Sequence, residues 1–164
     1  GGQAETVVVA LGSVLGTIDE VVDELRAEGV DIAALGVRCF RPYQLEEIRQ
    51  ALEGARRVIV LEKAFAVGIG GIVGQNVRLA LSGLPVSVFD VVAGLGGRPI
   101  TKRSLRTLVA DVLDERIEPD RLTFLDLDRE LVERELRRIS VSRRSGPHAE
   151  NILRDVGAVA AGSH

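Results

Sequence analysis

Three glycine-rich turns contain the residues whose types and spacing could do chemistry in this chain. They are residues 12–16 (GSVLG), 68–74 (GIGGIVG) and 94–98 (GLGGR), and each follows a predicted strand. Turns of this kind present backbone N–H groups at the start of a helix, where they bind phosphate or carboxylate groups. The candidates for contact with an anion are therefore Gly12, Ser13, Gly96, Gly97 and Arg98.

None of the three turns matches a complete phosphate-binding fingerprint. The first has the spacing G-x-x-x-G instead of G-x-G-x-x-G, and Arg38 and Arg41 stand where an acidic residue would contact a ribose. The second has Val73 in place of the last glycine and lacks the Lys-Ser/Thr ending of a P-loop. Glycines also allow tight turns and close helix–sheet packing. An anion- or nucleotide-binding module and a purely structural role both stay open.

Few groups are available for metal binding or nucleophilic catalysis. The one cysteine, Cys39, excludes an internal disulfide, a cysteine-ligated iron–sulfur cluster and a cysteine-rich zinc site within this chain. Beside Val37, it is expected to be a small apolar core residue. The two histidines, His148 and His164, lie in or near the predicted tail and leave no base for a Ser–His–Asp mechanism.

A charged pair, Glu62 and Lys63, follows the third predicted strand, where α/β proteins often place functional groups. We expect a structural role for it, as an ion pair with Arg41 or Arg98 across the edge of the sheet. The arginines of residues 134–144 alternate with glutamates, which is typical of a solvated helix face rather than a nucleic-acid patch.

Composition limits the class of protein. The chain has 164 residues, of which 46% are hydrophobic and 27% charged, enough for one domain with a real core. A net charge of −3 argues against a nucleic-acid binder, and the near-apolar stretch at residues 64–74 is too short to span a membrane. A reducing cytoplasm is the expected location. Because the chain has no Met, we interpret it as processed or as a piece of a longer protein.

Strands and helices alternate along the first part of the chain. Short apolar runs predict strands at residues 6–11, 31–40, 57–61 and 86–89. A capping box at residues 17–20 predicts the start of the first helix, and Gly29 predicts its end. Further helices are predicted around Ile48, over residues 71–81, and after a cap at Thr101 or Ser104. This alternation predicts an α/β three-layer sandwich around a mostly parallel sheet.

Three regions are expected from the change in composition along the chain. Residues 1–114 form the α/β domain, residues 115–144 a charged helical extension, and residues 145–164 a weakly ordered tail.

Several of these motifs resemble one enzyme family. The residues that carry the resemblance are Arg41-Pro42 after the second strand, the acidic end of the third strand, and the turn GLGGRPIT at residues 94–101. Over residues 5–114 the chain resembles the C-terminal, transketolase C-terminal-like domain of the α subunit of thiamine-dependent 2-oxoacid (pyruvate):ferredoxin oxidoreductases. It departs from the family pattern at Tyr43-Gln44 and at Pro99.

The resemblance implies a reaction for the whole enzyme. A 2-oxoacid, coenzyme A and oxidised ferredoxin would give an acyl-CoA, CO2 and reduced ferredoxin, with thiamine diphosphate, Mg2+ and iron–sulfur clusters as cofactors. The implied partners are an upstream pyrimidine-binding domain, a β subunit that carries thiamine diphosphate, and ferredoxin. This piece would be a non-catalytic assembly and support domain that is inactive alone. Any direct contact with coenzyme A would be made by the candidate anion-binding residues named above.

Aromatic residues suggest where such a domain would dock. Phe40, Tyr43, Phe65 and Phe89 follow or end predicted strands, so we expect them at the carboxyl edge of the sheet, together with Arg41. Aromatic residues at a rim are typical of a ligand crevice or a docking surface. Since no cofactor motif stands beside them, we interpret these five residues as interface candidates.

Overall fold

A computed structural model of the chain describes residues 4–66 and 69–142, with residues 129 and 138–142 as backbone only. The chain divides into two compact units, Gly1–Asp126 and Leu127–His164. The first unit extends past the predicted boundary after residue 114, because residues 123–124 add a strand to its sheet. The tail predicted at residues 145–164 lies outside the described residues.

The first unit is built on a five-stranded sheet in which every pairing is parallel. The strands are β1 (Thr6–Ala10), β2 (Ile32–Gly36), β3 (Arg57–Glu62), β4 (Ser87–Val92) and β5 (Thr123–Phe124). Their order across the sheet is β2-β1-β3-β4-β5. Uninterrupted apolar runs such as TVVVA suit strands that are covered on both faces.

Helices cover both faces of this sheet. They are α1 (Leu15–Ala27), α2 (Leu45–Leu52), α3 (Ile72–Ala80) and α4 (Lys102–Leu113), with a 3-10 turn at Leu95–Gly97. Helices α1 and α4 pack together on one face, and α2 and α3 pack together on the other. The predicted three-layer α/β sandwich is therefore confirmed. Among the described residues, no helix is long and apolar enough to cross a membrane.

The two faces of the sheet form two separate apolar clusters. Alternate residues of β1 divide between them, since successive side chains of a strand point to opposite faces. Val8 packs with Ile18 of α1 and Leu108 of α4, whereas Val9 packs with Leu52 of α2 and Val77 of α3.

Two predicted helix starts have different outcomes. Thr101 is the N-cap of α4, and its hydroxyl accepts a hydrogen bond of 3.1 Å from the Ser104 N–H, as predicted. The helix start predicted from the capping box at residues 17–20 is wrong, because α1 already begins at Leu15 and Thr17 lies inside the helix. Gly12 explains the earlier start, since its φ of 87° allows its carbonyl to accept from the Leu15 N–H.

Two predicted strands end three or four residues from the predicted position, and the other two miss by one residue. Strand β2 ends at Gly36 because its neighbour β1 ends at Ala10. The Ala10 carbonyl accepts the last hydrogen bond between the two strands, from the Val37 N–H. The chain then leaves the sheet, and Cys39 is exposed rather than part of the core. Strand β4 continues to Val92 because β3 pairs with it as far as Glu62.

The second unit contains α5 (Arg129–Ser142), within the region predicted as a charged helical extension. The Asp128 carboxylate accepts a hydrogen bond of 2.9 Å from the Leu131 N–H at the start of this helix. One turn further on, the side chains of Glu133 and Arg137 approach to 3.4 Å, and both are exposed. The charged side chains of α5 that the structure describes are thus largely exposed, as expected for a solvated helix face. The side chains of Arg138, Arg143 and Arg144 lie outside the described part.

Helices α1 and α4 are joined by an exposed group of ion pairs. Lys102 Nζ lies 2.9 Å from carboxylate oxygens of both Glu20 and Glu24, and Arg106 pairs with Glu24 and Glu28. The hydrogen bond from Lys102 lowers the pKa of Glu24, and hydrogen bonds to Glu20 and Glu24 raise the pKa of Lys102. Since these groups are exposed, their contribution to stability is small and screened by salt.

We predict that replacing Lys102 by Ala removes a stabilisation that depends on pH. The pKa of Glu24 is lowered in the folded state. The ionised Glu24 carboxylate therefore stabilises the folded state above its unfolded pKa, and this stabilisation is lost as pH falls through its folded pKa. Urea unfolding of wild type and Lys102→Ala, measured between neutral pH and about pH 3, should therefore converge in acid. Arg103→Ala is the control, and a difference that stays constant with pH would contradict the prediction.

Candidate functional site

The carboxyl ends of β1 to β4 meet at one edge of the sheet, since all the strands are parallel. Turns after these strands contain nearly every candidate from the sequence: residues 11–14, 37–44, 63–71 and 93–101. In open α/β sheets this edge is where ligands and partners bind. We therefore take this carboxyl edge as the candidate site.

Glu62, the last residue of β3, caps the helix that follows its own strand. Its side chain is only 8% exposed, and its two carboxylate oxygens accept hydrogen bonds of 2.9, 3.0 and 2.9 Å from the N–H groups of Ile72, Val73 and Gly74. These are N–H groups of the first turn of α3, which have no partner inside the helix. A carboxylate there is also stabilised by the helix dipole.

The predicted ion pair of Glu62 with Arg41 or Arg98 is thus wrong. Three N–H groups and the positive end of a helix dipole already surround the carboxylate inside the protein. The sequence signal for this arrangement is Gly71, because a Cβ at that position would overlap Oε1 of Glu62.

A second carboxylate, partly buried, lies on the same face of the sheet. Oδ2 of Asp90, in β4, accepts from Arg78 of α3 at 3.0 Å through Nε and 2.9 Å through Nη2. Its other oxygen, Oδ1, is buried with no hydrogen-bond partner among the described residues. A Cβ on Gly74 would overlap that oxygen, so the glycine allows α3 to approach β4 closely. Sequence reasoning missed this pair, since Asp90 and Arg78 belong to different elements.

The anion candidates stand in two separate turns. Gly12 and Ser13 are exposed after β1, whereas Gly96, Gly97 and Arg98 are exposed after β4. Gly96 and Gly97 have φ of 66° and 77°, which glycine adopts without strain.

The turn after β4 contains one cationic residue, Arg98, and lies close to another, Lys63. Arg98 Nη1 donates to the carbonyl oxygen of Asp126 at 3.0 Å. The Lys63 side chain passes close by, since its Cε is 3.0 Å from the position of a Cβ on Gly94.

Aromatic residues form two pairs at the carboxyl edge. Phe40 and Tyr43 meet edge to face at 6.4 Å between ring centroids, and Arg41 lies 4.0 Å above the Phe40 ring. Phe65 and Phe124 meet edge to face at 5.4 Å. Sequence analysis missed Phe124, because a two-residue strand is too short to produce a periodic pattern.

Phe89 does not belong to this edge, and its prediction as an interface residue is wrong. It lies in the middle of β4, paired with Ile59 of β3. Only 5% of its surface is exposed, because its side chain points into the apolar cluster beneath α1 and α4. The other interface candidates do reach the surface, with Phe65 and Arg41 exposed and Phe40 and Tyr43 half-buried.

The Tyr43 hydroxyl is buried without a hydrogen-bond partner among the described residues. Burial raises the pKa of this phenol above its ordinary value; the positive charge of Arg41 opposes the rise, and the negative charge of Glu62 adds to it. Tyr43 therefore stays a neutral phenol at physiological pH.

A groove of about 900 Å³ runs along the outer side of α3. Arg41 lines it, together with the exposed side chains of Ile69, Ile72 and Leu79. The carboxyl edge and the outer side of α3 thus share Arg41.

Comparison with known proteins places this arrangement in a family. The family model described as pyruvate:ferredoxin oxidoreductase core domain II matches residues 4–105. Pyruvate synthase subunit PorA of Methanocaldococcus jannaschii is 36% identical over 125 residues, which cover 76% of this chain and 31% of the relative. Ketoisovalerate oxidoreductase subunit VorA of Pyrococcus horikoshii is 34% identical over 125 residues, which cover 70% of this chain and 32% of the relative.

A solved structure supports the fold. The 2-oxoglutarate:ferredoxin oxidoreductase of Magnetococcus marinus superposes with a TM-score of 0.53 at 22% identity, over 68% of this chain and 18% of the other. The chain thus spans about a third of the length of PorA and VorA relatives. Since the family model matches more than half of the chain, this protein belongs to the family of pyruvate:ferredoxin oxidoreductase core domain II.

Proposed function

We propose that this chain is a non-catalytic assembly and support domain of a 2-oxoacid:ferredoxin oxidoreductase, the C-terminal part of its α subunit. The observation that carries the proposal is the match of residues 4–105 to core domain II, with relatives named as PorA and VorA subunits. The enzyme would convert a 2-oxoacid, coenzyme A and oxidised ferredoxin into an acyl-CoA, CO2 and reduced ferredoxin. We place it in the cytoplasm.

The buried carboxylate of Glu62 and the partly buried carboxylate of Asp90 support a non-catalytic role. The Glu62 carboxylate is bound by three N–H groups, and the Asp90 carboxylate is paired with Arg78, so both hold α3 against the sheet. A carboxylate that binds a metal or moves a proton needs a free oxygen facing the ligand. The free oxygen of Asp90 faces Gly74 instead.

Within the described residues, the donor groups do not fit the metal ion that the family implies. Among the described residues, no group of three or more His, Cys, Asp and Glu side chains could hold a metal ion such as Mg2+. A single cysteine is too few for an iron–sulfur cluster. We therefore assign thiamine diphosphate, Mg2+ and the clusters to the upstream pyrimidine-binding domain, the β subunit and other partners, and ferredoxin to the whole enzyme.

Calorimetry with the 164-residue chain tests this proposal. We expect no heat of binding with thiamine diphosphate and Mg2+, and no turnover of pyruvate. The same chain should form a stable complex with the remaining polypeptides of its enzyme on size-exclusion chromatography. Tight binding of thiamine diphosphate, or failure to form this complex, would overturn the proposal.

A second candidate function is a free-standing module that binds an anion or a nucleotide. The exposed turn after β4 favours it, since the Lys63 side chain passes beside Gly94, at the start of the turn that contains Gly96, Gly97 and Arg98. Gly12 and Ser13 would add a second contact. This function requires a thermal shift with coenzyme A, ATP or NAD that disappears in the Arg98→Ala variant; no shift with any of the three would exclude it.

A further inference from the structure

We propose that the carboxyl edge of this domain docks onto another domain or subunit of the same enzyme, at a surface where exposed carboxylates surround an apolar centre. The contact on this side is made by a cationic rim, defined as Arg38, Arg41, Lys63 and Arg98, around the exposed side chains of Leu11, Phe65 and Leu95. The inference rests on the proposed assembly function and names the chemistry of the partner surface.

The cationic rim lacks carboxylate partners within the described residues. Arg41 donates to the Phe40 carbonyl at 2.7 Å, and Arg98 donates to the Asp126 carbonyl at 3.0 Å. No hydrogen bond or ion pair joins Arg38 or Lys63 to another residue of the described part. All four side chains are exposed.

Cations elsewhere in the first unit are mostly paired with carboxylates. At the opposite, amino edge, Arg56 and Arg57 both pair with Glu5. On the outer helices, Lys102 pairs with Glu20 and Glu24. The chain as a whole is acidic, with a net charge of −3, so four cations without a carboxylate partner in the turns after β2, β3 and β4 form a local concentration of positive charge.

The acidic residues near the cationic rim offset part of this charge. Glu62 is buried, and its oxygens are taken by the three N–H groups of α3. Asp126, after β5, is exposed, and Arg98 contacts its carbonyl. Glu46 and Glu47 are exposed in the first turn of α2, directly after the turn that contains Arg41. The rim therefore presents a positive potential that an acidic surface would neutralise.

Exposed apolar side chains lie among these cations and favour a protein partner. Leu11, Phe65 and Leu95 are 43%, 40% and 43% exposed, and they come from the turns after β1, β3 and β4. A phosphate group itself would gain nothing from these apolar side chains. Protein interfaces, in contrast, combine an apolar centre rich in aromatic residues and arginine with a polar rim.

Charge reversal of the rim tests the proposal. In the triple variant Arg41→Glu, Lys63→Glu and Arg98→Glu, every changed side chain is exposed, so thermal melting should match that of wild type. We expect its affinity for the remaining polypeptides of the enzyme to fall at least about 100-fold at low salt, because three attractions become repulsions. Arg121→Glu is a control for charge reversal away from the rim, since Arg121 is an exposed arginine in the turn before β5, at the amino edge, where it pairs with Glu118.

Salt dependence separates the possible outcomes. Wild-type affinity should weaken when salt rises from about 0.05 to 0.5 M, and the affinity of the triple variant should not. A triple variant that binds like wild type at both salt concentrations would overturn the acidic-partner proposal while leaving the assembly function intact. Failure of wild type to bind at all would instead overturn the assembly function. Displacement of the partner by coenzyme A alone would identify a phosphate site and also overturn the proposal.

Discussion

Replacing Glu62 by Ala is expected to lower the free energy of unfolding by about 3 kcal/mol. The substitution removes three hydrogen bonds to a charged acceptor and leaves the N–H groups of Ile72, Val73 and Gly74 without a partner in a site that water reaches poorly. Urea unfolding followed by circular dichroism measures the change. Glu46→Ala is the control, because Glu46 is exposed in the first turn of α2 and should change stability by less than about 0.5 kcal/mol.

Gly71 provides a second test of the same contact. In wild type, Gly71→Ala forces a Cβ against Oε1 of Glu62, and we expect a loss of about 2 kcal/mol. The backbone of Gly71 is extended, with φ of −75°, so alanine itself adds no strain there. In the Glu62→Ala background the loss should nearly vanish, because the two sites are in direct contact. Additive losses in this double-mutant cycle would show that Glu62 does not occupy the position described.

The cap also matters for the proposed docking surface. The segment between Glu62 and Gly71 contains Lys63 of the cationic rim and the exposed Phe65. Both ends of that segment are held by the bonds between the Glu62 carboxylate and α3. We infer that Glu62 positions this part of the surface without contacting the partner itself.

Replacing Gly74 by Ala is expected to destabilise the domain by about 2 kcal/mol, against the usual direction of this substitution in a helix. Alanine normally favours a helix over glycine by about 1 kcal/mol. At Gly74, however, the added Cβ would overlap Oδ1 of Asp90, which is part of the central β4 strand and cannot move freely. The loss of close packing between α3 and the sheet outweighs the gain in helix propensity.

Gly16→Ala is the matched control for Gly74. Gly16 also lies inside a helix, α1, but no atom lies within 4 Å of its Cβ position. We therefore expect Gly16→Ala to be neutral or to stabilise by up to about 1 kcal/mol in the same unfolding experiment. A Gly74→Ala variant as stable as Gly16→Ala would contradict the close approach of α3 to Asp90.

Local patterns were enough to predict most of the fold. Apolar runs such as TVVVA identified the buried strands, and the spacing of Leu45, Ile48 and Leu52 identified α2. Thr101 marked the start of α4 through its own hydroxyl. These features depend on residues a few positions apart, so the sequence displays them directly.

The ends of strands could not be predicted in the same way. β2 stops at Gly36 because of the end of β1, and β4 continues past Phe89 because of its pairing with β3. β5 contains only Thr123 and Phe124, and its alignment depends on β4. In each case the length of a strand is decided by its neighbour in the sheet, which is distant along the chain.

The sequence by itself determined the parallel α/β architecture, the family resemblance over residues 5–114, and the gathering of turns at one edge of the sheet. Tertiary structure alone decided what the charged residues there do. It buried Glu62 against the N–H groups of α3 and paired Asp90 with Arg78, while Arg38, Arg41 and Lys63 have no carboxylate partner among the described residues. The physical reason is that a charge acquires its partner only when elements distant in sequence pack together.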